Sequence, residues 1–156
     1  FKLSKIFIDF ILINDPIDKK IIQDQLNHSR SEWTYNYKKI NFQNLDYNKT
    51  SSISLKHMQD LYLLLDNRSI KLSVAVYPWP GTLRFDNPEN TQVKLWRDFC
   101  KNNCSNFYNF MPKFFSEIEK KDFYHSYKKF YIEGDIHFNR YGNEIIANEF
   151  ILKYKN

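Results

Sequence analysis

The sequence has little cysteine and no long apolar run. Its two cysteines, Cys100 and Cys104, lie four positions apart and form neither a Cys-x-x-Cys motif nor part of a second pair, which argues against a zinc site. Two states stay open for them: an oxidised pair in an extracytoplasmic compartment, or two reduced, half-buried thiols. No run is long enough to span a membrane, and the chain starts at Phe1 without an initiator methionine or a signal peptide. We therefore expect it to be a piece or a processed form of a longer protein.

The chain also lacks a concentrated basic segment, although its net charge is +5. Lysine pairs occur at 19–20, 38–39, 120–121 and 128–129, but they are far apart and mixed with Asp and Glu. This distribution is typical of solvated faces and not of a nucleic-acid footprint. We expect no nucleic-acid partner, and a small basic α/β module that contacts nucleic acid is kept as the third alternative.

What the sequence does contain is typical of a folded domain. Hydrophobic residues make up 42% and aromatic residues 18% of the 156 positions, which is enough for one sizeable core. No internal repeat or low-complexity linker divides the chain. We therefore interpret residues 1–156 as a single domain.

Apolar runs and amphipathic segments alternate along the chain. Residues 5–14 predict a buried strand ended by Asp15-Pro16, with the start of a buried helix as the competing interpretation. Residues 70–77 predict a second strand, and 105–110 a short third one. Helices are predicted at 18–33, 51–66 and 91–103. The alternation is that of a parallel α/β sheet, whose site lies in the loops after the strands.

Several finer expectations accompany these elements. Residues 34–50 are polar without a clean period and predict an irregular surface excursion. The helix after it would be capped by Ser51 or Ser52, with His57 half-buried beside its apolar stripe. That stripe consists of Leu55, Met58, Leu61, Tyr62 and Leu65. The inward positions of the helix at 91–103 are Val93, Trp96, Phe99 and Cys100.

A short polar segment near the C-terminus carries the chemistry. Asp135 and His137 are two residues apart, so in an extended segment both side chains face the same way. Asn139 predicts the N-cap of a helix. The predicted buried stripe of that helix is Ile146, Phe150 and Tyr154, with Ala147 and Ile151 beside them. An acid and an imidazole thus lie at the mouth of a packed helix.

This segment resembles the closing block of SGNH/GDSL-type hydrolases. The resemblance rests on Asp-x-His-Phe-Asn at 135–139, the glycine three residues on, and Ile146-Ala147. The two-residue offset departs from the commoner Asp-x-x-His and is more similar to the polysaccharide O-acetyltransferases related to alginate acetylation. The resemblance implies a three-layer α/β/α fold with a mostly parallel, flavodoxin-like sheet. It also implies that His137 is a base for a serine and that Asp135 orients it, without a metal or organic cofactor.

The resemblance assigns three further positions. Asn14 would donate to the oxyanion, although Leu12 stands where the family usually has glycine; a plain turn is the alternative. Tyr77 and Trp79, in Tyr77-Pro78-Trp79-Pro80, would form an apolar wall of the acyl or sugar pocket, and the alternative is that Trp79 packs on the sheet edge. The expected substrate is an acylated carbohydrate or cell-surface polysaccharide outside the cytoplasm.

One part of the family pattern is missing. The nucleophile of the family lies in a Gly-Asp-Ser segment after the first strand, and the 156 residues contain no such segment. We expect that segment in a portion preceding Phe1, and we expect this chain alone to be inactive. A catalytically inactive relative that binds glycans through Trp79 and neighbouring aromatic residues is the second alternative.

Overall fold

A computed structural model describes residues 47–118 and 123–154 of the chain. The described elements, in chain order, are α1 (Tyr47–Asp66), β1 (Ser73–Val76), α2 (Pro80–Phe85), α3 (Thr91–Asn103), β2 (Asn106–Asn109), α4 (Met111–Glu117), α5 (Phe123–Phe130) and α6 (Arg140–Tyr154). This part of the chain is mixed α/β, mostly helical, with a small parallel sheet. The predicted strand at 5–14 and helix at 18–33 lie outside the described residues, and the three-layer arrangement stays a prediction.

The sheet consists of β1 and β2, joined by a crossover that contains α3. The strands are parallel, with Val74 opposite Phe107 and Val76 opposite Asn109. In β1 the valines are buried and the alternate positions are exposed, as in a strand with one covered face. Both strands are shorter than the predicted 70–77 and 105–110.

Helices α1 and α3 cover the buried face of β1. Val74, Phe99 and Cys100 form one buried cluster, and the partly buried side chains against it include Leu55, Met58 and Tyr62 of α1. The predicted stripe of α1 is thus correct at these three positions. The prediction that Leu61 belongs to the stripe is wrong, because its side chain is exposed.

The N-terminal part of α1 differs from the prediction. The described chain is already helical at Tyr47, four residues before the expected start, so the end of the stretch predicted to be irregular is helical. Ser51 lies inside the helix, and its hydroxyl donates to the Tyr47 carbonyl at 2.7 Å, so it satisfies a backbone acceptor and does not cap the helix. His57 is exposed and not half-buried.

Helix α3 has the predicted bounds. The Asn90 side chain accepts from the Val93 amide at 3.1 Å and caps the helix. Val93, Phe99 and Cys100 are buried as predicted. Of the two states left open for the cysteines, the structure shows the oxidised one, a Cys100–Cys104 disulfide at the C-terminal end of α3. None of the helices within 47–118 and 123–154 combines the length and apolarity needed to cross a bilayer.

Helix α6 packs on a different stripe from the one predicted. Its buried residues are Gly142 and Ile145, with Ile146 partly buried, whereas Phe150, Ile151 and Tyr154 are exposed, and Ala147 is exposed as well. The reason is Gly142: a Cβ there would collide with the Phe130 carbonyl oxygen and lie 2.7 Å from the Phe138 ring. Glycine therefore lets the helix backbone approach α5 and decides which face turns inward.

A half-buried carboxylate joins α4, α5 and α6. Glu117 pairs with Lys113 at 2.7 Å and with Lys129 at 3.0 Å, and it accepts from the Tyr141 hydroxyl at 2.8 Å. Partial burial raises its pKa, but the hydrogen bonds from Lys113, Tyr141 and Lys129 outweigh that effect and lower the pKa to about 2. The three helices that support the Asp135–His137 segment are thereby tied together.

Candidate functional site

The Asp135–His137 pair lies in the tight connection between α5 and α6. Tyr131 and Phe138 form an isolated antiparallel bridge across its base. The Ile132 amide donates to the His137 carbonyl at 3.0 Å, and Gly134 has φ +78°, which suits glycine. Glu133 and Gly134 form the turn that leads into the pair. The connection is closed by backbone bonds, which leaves the side chains of the pair free to act.

The structure brings the two predicted side chains into contact. Asp135 Oδ1 lies 2.8 Å from His137 Nδ1. The same oxygen accepts from the Ile136 amide at 2.6 Å. Hydrogen bonding from His137, and then from the Ile136 amide, lowers the pKa of Asp135, so this carboxyl is an ionised acceptor near neutral pH.

This contact decides which nitrogen of the imidazole is free. An ionised carboxylate can only accept, so the neutral His137 ring carries its proton on Nδ1 and has its lone pair on Nε2. The His137 side chain is 74% exposed and that of Asp135 is 44% exposed. Nε2 thus has the form of a proton acceptor that a reactant can approach.

The Asn139 side chain bonds to the C-terminal end of α5 and to the N-terminal end of α6, next to the pair. Its side-chain oxygen accepts from the Gly142 amide at 3.0 Å, so the predicted N-cap is confirmed. Its side-chain nitrogen lies 3.0, 3.1 and 3.2 Å from the carbonyl oxygens of Lys128, Lys129 and Tyr131. One amide therefore satisfies orphan groups at the end of α5 and at the start of α6.

The loop after β1 is joined to the same segment. The buried Tyr131 hydroxyl donates to the Pro78 carbonyl at 2.9 Å, and the Tyr77 ring meets Phe138 edge to face at 5.5 Å. Tyr77 is 44% exposed, so it lies next to the Asp135–His137 segment with much of its ring open to solvent. Half-buried Trp79 precedes α2, and its role in substrate binding stays a prediction.

The sequence-based interpretation missed Tyr131. It lies at the end of an aromatic, basic stretch that the sequence does not assign to an element, and its partner Pro78 is 53 positions away. No local pattern indicates such a contact. The signal that was present is the spacing of the buried Tyr127, Phe130 and Tyr131, which is helical.

Two expected parts of the site are not in this region. Asn14 lies outside the described residues, so its place as an oxyanion donor stays a prediction. Within the part of the chain that the structure describes, no serine hydroxyl hydrogen-bonds to His137. Nor does that part contain a group of three or more His, Cys, Asp or Glu residues that could hold a metal ion.

Comparison with known proteins gives no match. The chain matches no protein-family model, no curated protein and no solved structure. The resemblance to SGNH/GDSL-type hydrolases therefore rests on the quoted residues alone.

Proposed function

We propose that this chain is part of an SGNH-type serine esterase or O-acyltransferase that acts on an acylated carbohydrate or cell-surface polysaccharide. The observation that carries the proposal is the 2.8 Å contact between Asp135 Oδ1 and His137 Nδ1. The contact supports a base whose reactive nitrogen is Nε2. The resemblance of the surrounding segment supplies the reaction class.

The proposed chemistry follows from what acyl transfer requires. A serine hydroxyl is a weak nucleophile and needs a base within hydrogen-bond reach. His137 Nε2 accepts the hydroxyl proton as the oxygen attacks the ester carbonyl, and the imidazolium returns that proton to the leaving alcohol oxygen. Asp135 stabilises the imidazolium and fixes the tautomer. Water or an acceptor hydroxyl then completes the reaction in the same way.

Two groups in this scheme come from outside the described residues. Asn14 is proposed to donate to the oxyanion, a contact whose loss typically costs about a hundred- to a thousandfold in rate. The nucleophile is proposed to belong to a Gly-Asp-Ser segment, which the 156 residues do not contain. This chain alone should therefore not turn over an ester.

Two observations support the substrate class and the compartment. Tyr77 presents an exposed ring beside Phe138, and an aromatic face is an amphipathic platform suited to the apolar side of a sugar ring. The Cys100–Cys104 disulfide is of the kind that persists in oxidising compartments. It supports an extracytoplasmic location, where cell-surface polysaccharide is found.

The test is release or transfer of acetyl groups from an acetylated oligosaccharide. We expect none from the 156-residue chain, and turnover from the longest polypeptide of its reading frame that includes a Gly-Asp-Ser segment. In that polypeptide His137→Ala should lower kcat by about 10²–10⁴-fold, the usual contribution of a general base. His57→Ala is the matched control, since it removes an exposed histidine from α1. Ester turnover by the 156-residue chain that depends on His137 would contradict the scheme.

A second function, glycan binding without catalysis, is favoured by the exposed aromatic residues. Tyr77 and Phe85 are 44% and 47% exposed, and this reading needs no nucleophile. A reading frame without Gly-Asp-Ser, together with oligosaccharide binding that Tyr77→Ala weakens and His137→Ala does not, would select it. Binding to DNA or RNA that falls steeply with salt would instead favour the third class.

A further inference from the structure

The hydroxyl of Tyr127 lies against the backbone of the turn that carries Asp135. Tyr127 is in α5 and is only 2% exposed. Its hydroxyl oxygen is 2.9 Å from the Ile132 carbonyl oxygen, 2.7 Å from the Asp135 carbonyl oxygen and 2.9 Å from the Asp135 amide nitrogen. One buried side chain thus contacts both the start and the centre of the turn.

These contacts use both capacities of the hydroxyl. Its single proton is donated to one of the two carbonyl oxygens at a time, and its lone pair accepts from the Asp135 amide. The Asp135 backbone is therefore held on both its N–H and its C=O sides by the same oxygen. The ring itself is fixed, because it stacks on Tyr131 with a centroid distance of 5.6 Å.

The turn needs such a contact, because the other restraints on Asp135 are local. Among the described residues, the Asp135 side chain bonds to the neighbouring Ile136 amide and to His137. The His137 side chain is largely exposed and that of Asp135 is partly exposed. The preceding residue is a glycine with φ +78°, a type of residue that has many backbone conformations available. The Asp135 amide also donates to the Ile132 carbonyl at 3.0 Å, but that bond lies within the turn, so the Tyr127 hydroxyl is the described contact that ties Asp135 to the buried core.

We propose that Tyr127 is a positioning residue that fixes the Asp135 carboxylate against His137 Nδ1 and thereby selects the tautomer with Nε2 free. Its importance for a reaction rests on the proposed function, whereas its effect on the tautomer does not. Burial raises the pKa of the Tyr127 phenol, so the hydroxyl keeps its proton and donates throughout the neutral range.

The experiment measures the tautomer of the neutral His137 ring by nitrogen-15 NMR. The wild-type chain should show mainly the Nδ1–H form. Tyr127→Phe should lower the ratio of Nδ1–H to Nε2–H about fivefold, the factor that the loss of one ordinary hydrogen bond produces in an equilibrium constant. Asp135→Ala gives the ratio for a ring without its acceptor.

Tyr131→Phe is the matched control, because it also removes a buried hydroxyl that bonds to a backbone carbonyl. It should lose stability while keeping the His137 ratio within about twofold of wild type. A ratio in Tyr127→Phe equal to that of Tyr131→Phe would overturn the inference. An Nε2–H form in the wild type would instead overturn the Asp135–His137 pair itself, so the two failures are distinguishable.

A measurement on the wild type decides the matter if Tyr127→Phe does not fold. A hydroxyl held between the Asp135 amide and a backbone carbonyl exchanges slowly with solvent. We expect a resolved Tyr127 hydroxyl proton that cross-relaxes with the Asp135 amide proton. An Asp135 amide that exchanges as fast as those of exposed turns would show that the anchor is absent.

Discussion

The half-buried Glu117 offers the most quantitative test of how the site is supported. Glu117→Gln removes one negative charge from between Lys113 and Lys129 while keeping an acceptor for the Tyr141 hydroxyl. The side chain keeps nearly the same shape, so packing of α4, α5 and α6 should be preserved. The loss then reports the charge together with one hydrogen-bond acceptor for a lysine.

The size of the effect follows from the pKa. Each pKa unit corresponds to about 1.4 kcal/mol, so a change from 4.5 to about 2 corresponds to about 3 kcal/mol. The two lysine side chains are 43% and 36% exposed, and solvent screening reduces the expected contribution to about 1–2 kcal/mol. Because the folded state lowers this pKa, the stabilisation is complete above pH 4.5 and is lost as the pH falls from 4.5 through about 2.

Urea denaturation at a series of pH values measures the effect. At pH near 7 the free energy of unfolding of Glu117→Gln should be about 1–2 kcal/mol below wild type, and the difference should shrink toward zero as the pH approaches about 2. Glu144→Gln is the control: its pair with Arg140 is exposed, so it should cost no more than about 0.5 kcal/mol. Equal losses in the two variants, or a Glu117→Gln loss that does not change with pH, would refute the reasoning.

Three further changes test other contacts of the fold, two of them beside the pair. Asn139→Ala should cost about 2 kcal/mol in urea denaturation, since it removes the cap of α6 and the partner of three carbonyls; a loss below about 0.5 kcal/mol would contradict this. Gly142→Ala should lower the calorimetric Tm despite the better helix propensity of alanine, because the Cβ meets the Phe130 backbone. Reduction of Cys100–Cys104 by dithiothreitol should cost about 2 kcal/mol, as expected for a short closed loop, and an unchanged unfolding midpoint would argue against it.

The sequence predicts α3 well because all its signals are local. Asn90 caps it, apolar residues recur at helical spacing, and the strand after it begins within a few residues. The predicted stripe of α6 is wrong because the contact that decides it is not local. Hydropathy favours Phe150 and Tyr154, but a side chain that is absent, that of Gly142, determines which face can approach α5. A pattern of apolar residues does not indicate where two backbones come close together.

In the candidate site, too, the sequence predicts the local contact and misses the long-range ones. The two-residue spacing of Asp135 and His137 predicts their contact, which the structure shows, but the segment is a tight turn and bend and not the extended stretch from which the contact was expected. The contacts that hold the turn are not visible in the sequence, because Tyr127 is eight positions from Asp135 and the partner of Tyr131, Pro78, lies in the distant loop after β1. An aromatic residue anchors the turn only if its hydroxyl reaches a backbone group, and the sequence does not show which hydroxyls do so.

The origin of the pair's geometry lies in the α5–α6 hairpin, not in the sheet. In the described part of the chain, the bonds that fix the Asp135 backbone come from this hairpin and its turn. The loop after β1 contributes the Pro78 carbonyl, which bonds to Tyr131, and the Tyr77 ring, which contacts Phe138. The hairpin therefore holds the Asp135–His137 contact, and the loop after β1 meets the same segment at Tyr131 and Phe138. A change in the β1 loop should leave the Asp135–His137 contact intact, whereas a change in Tyr127 or Asn139 should disturb it; under the proposed function, the first change would alter substrate preference.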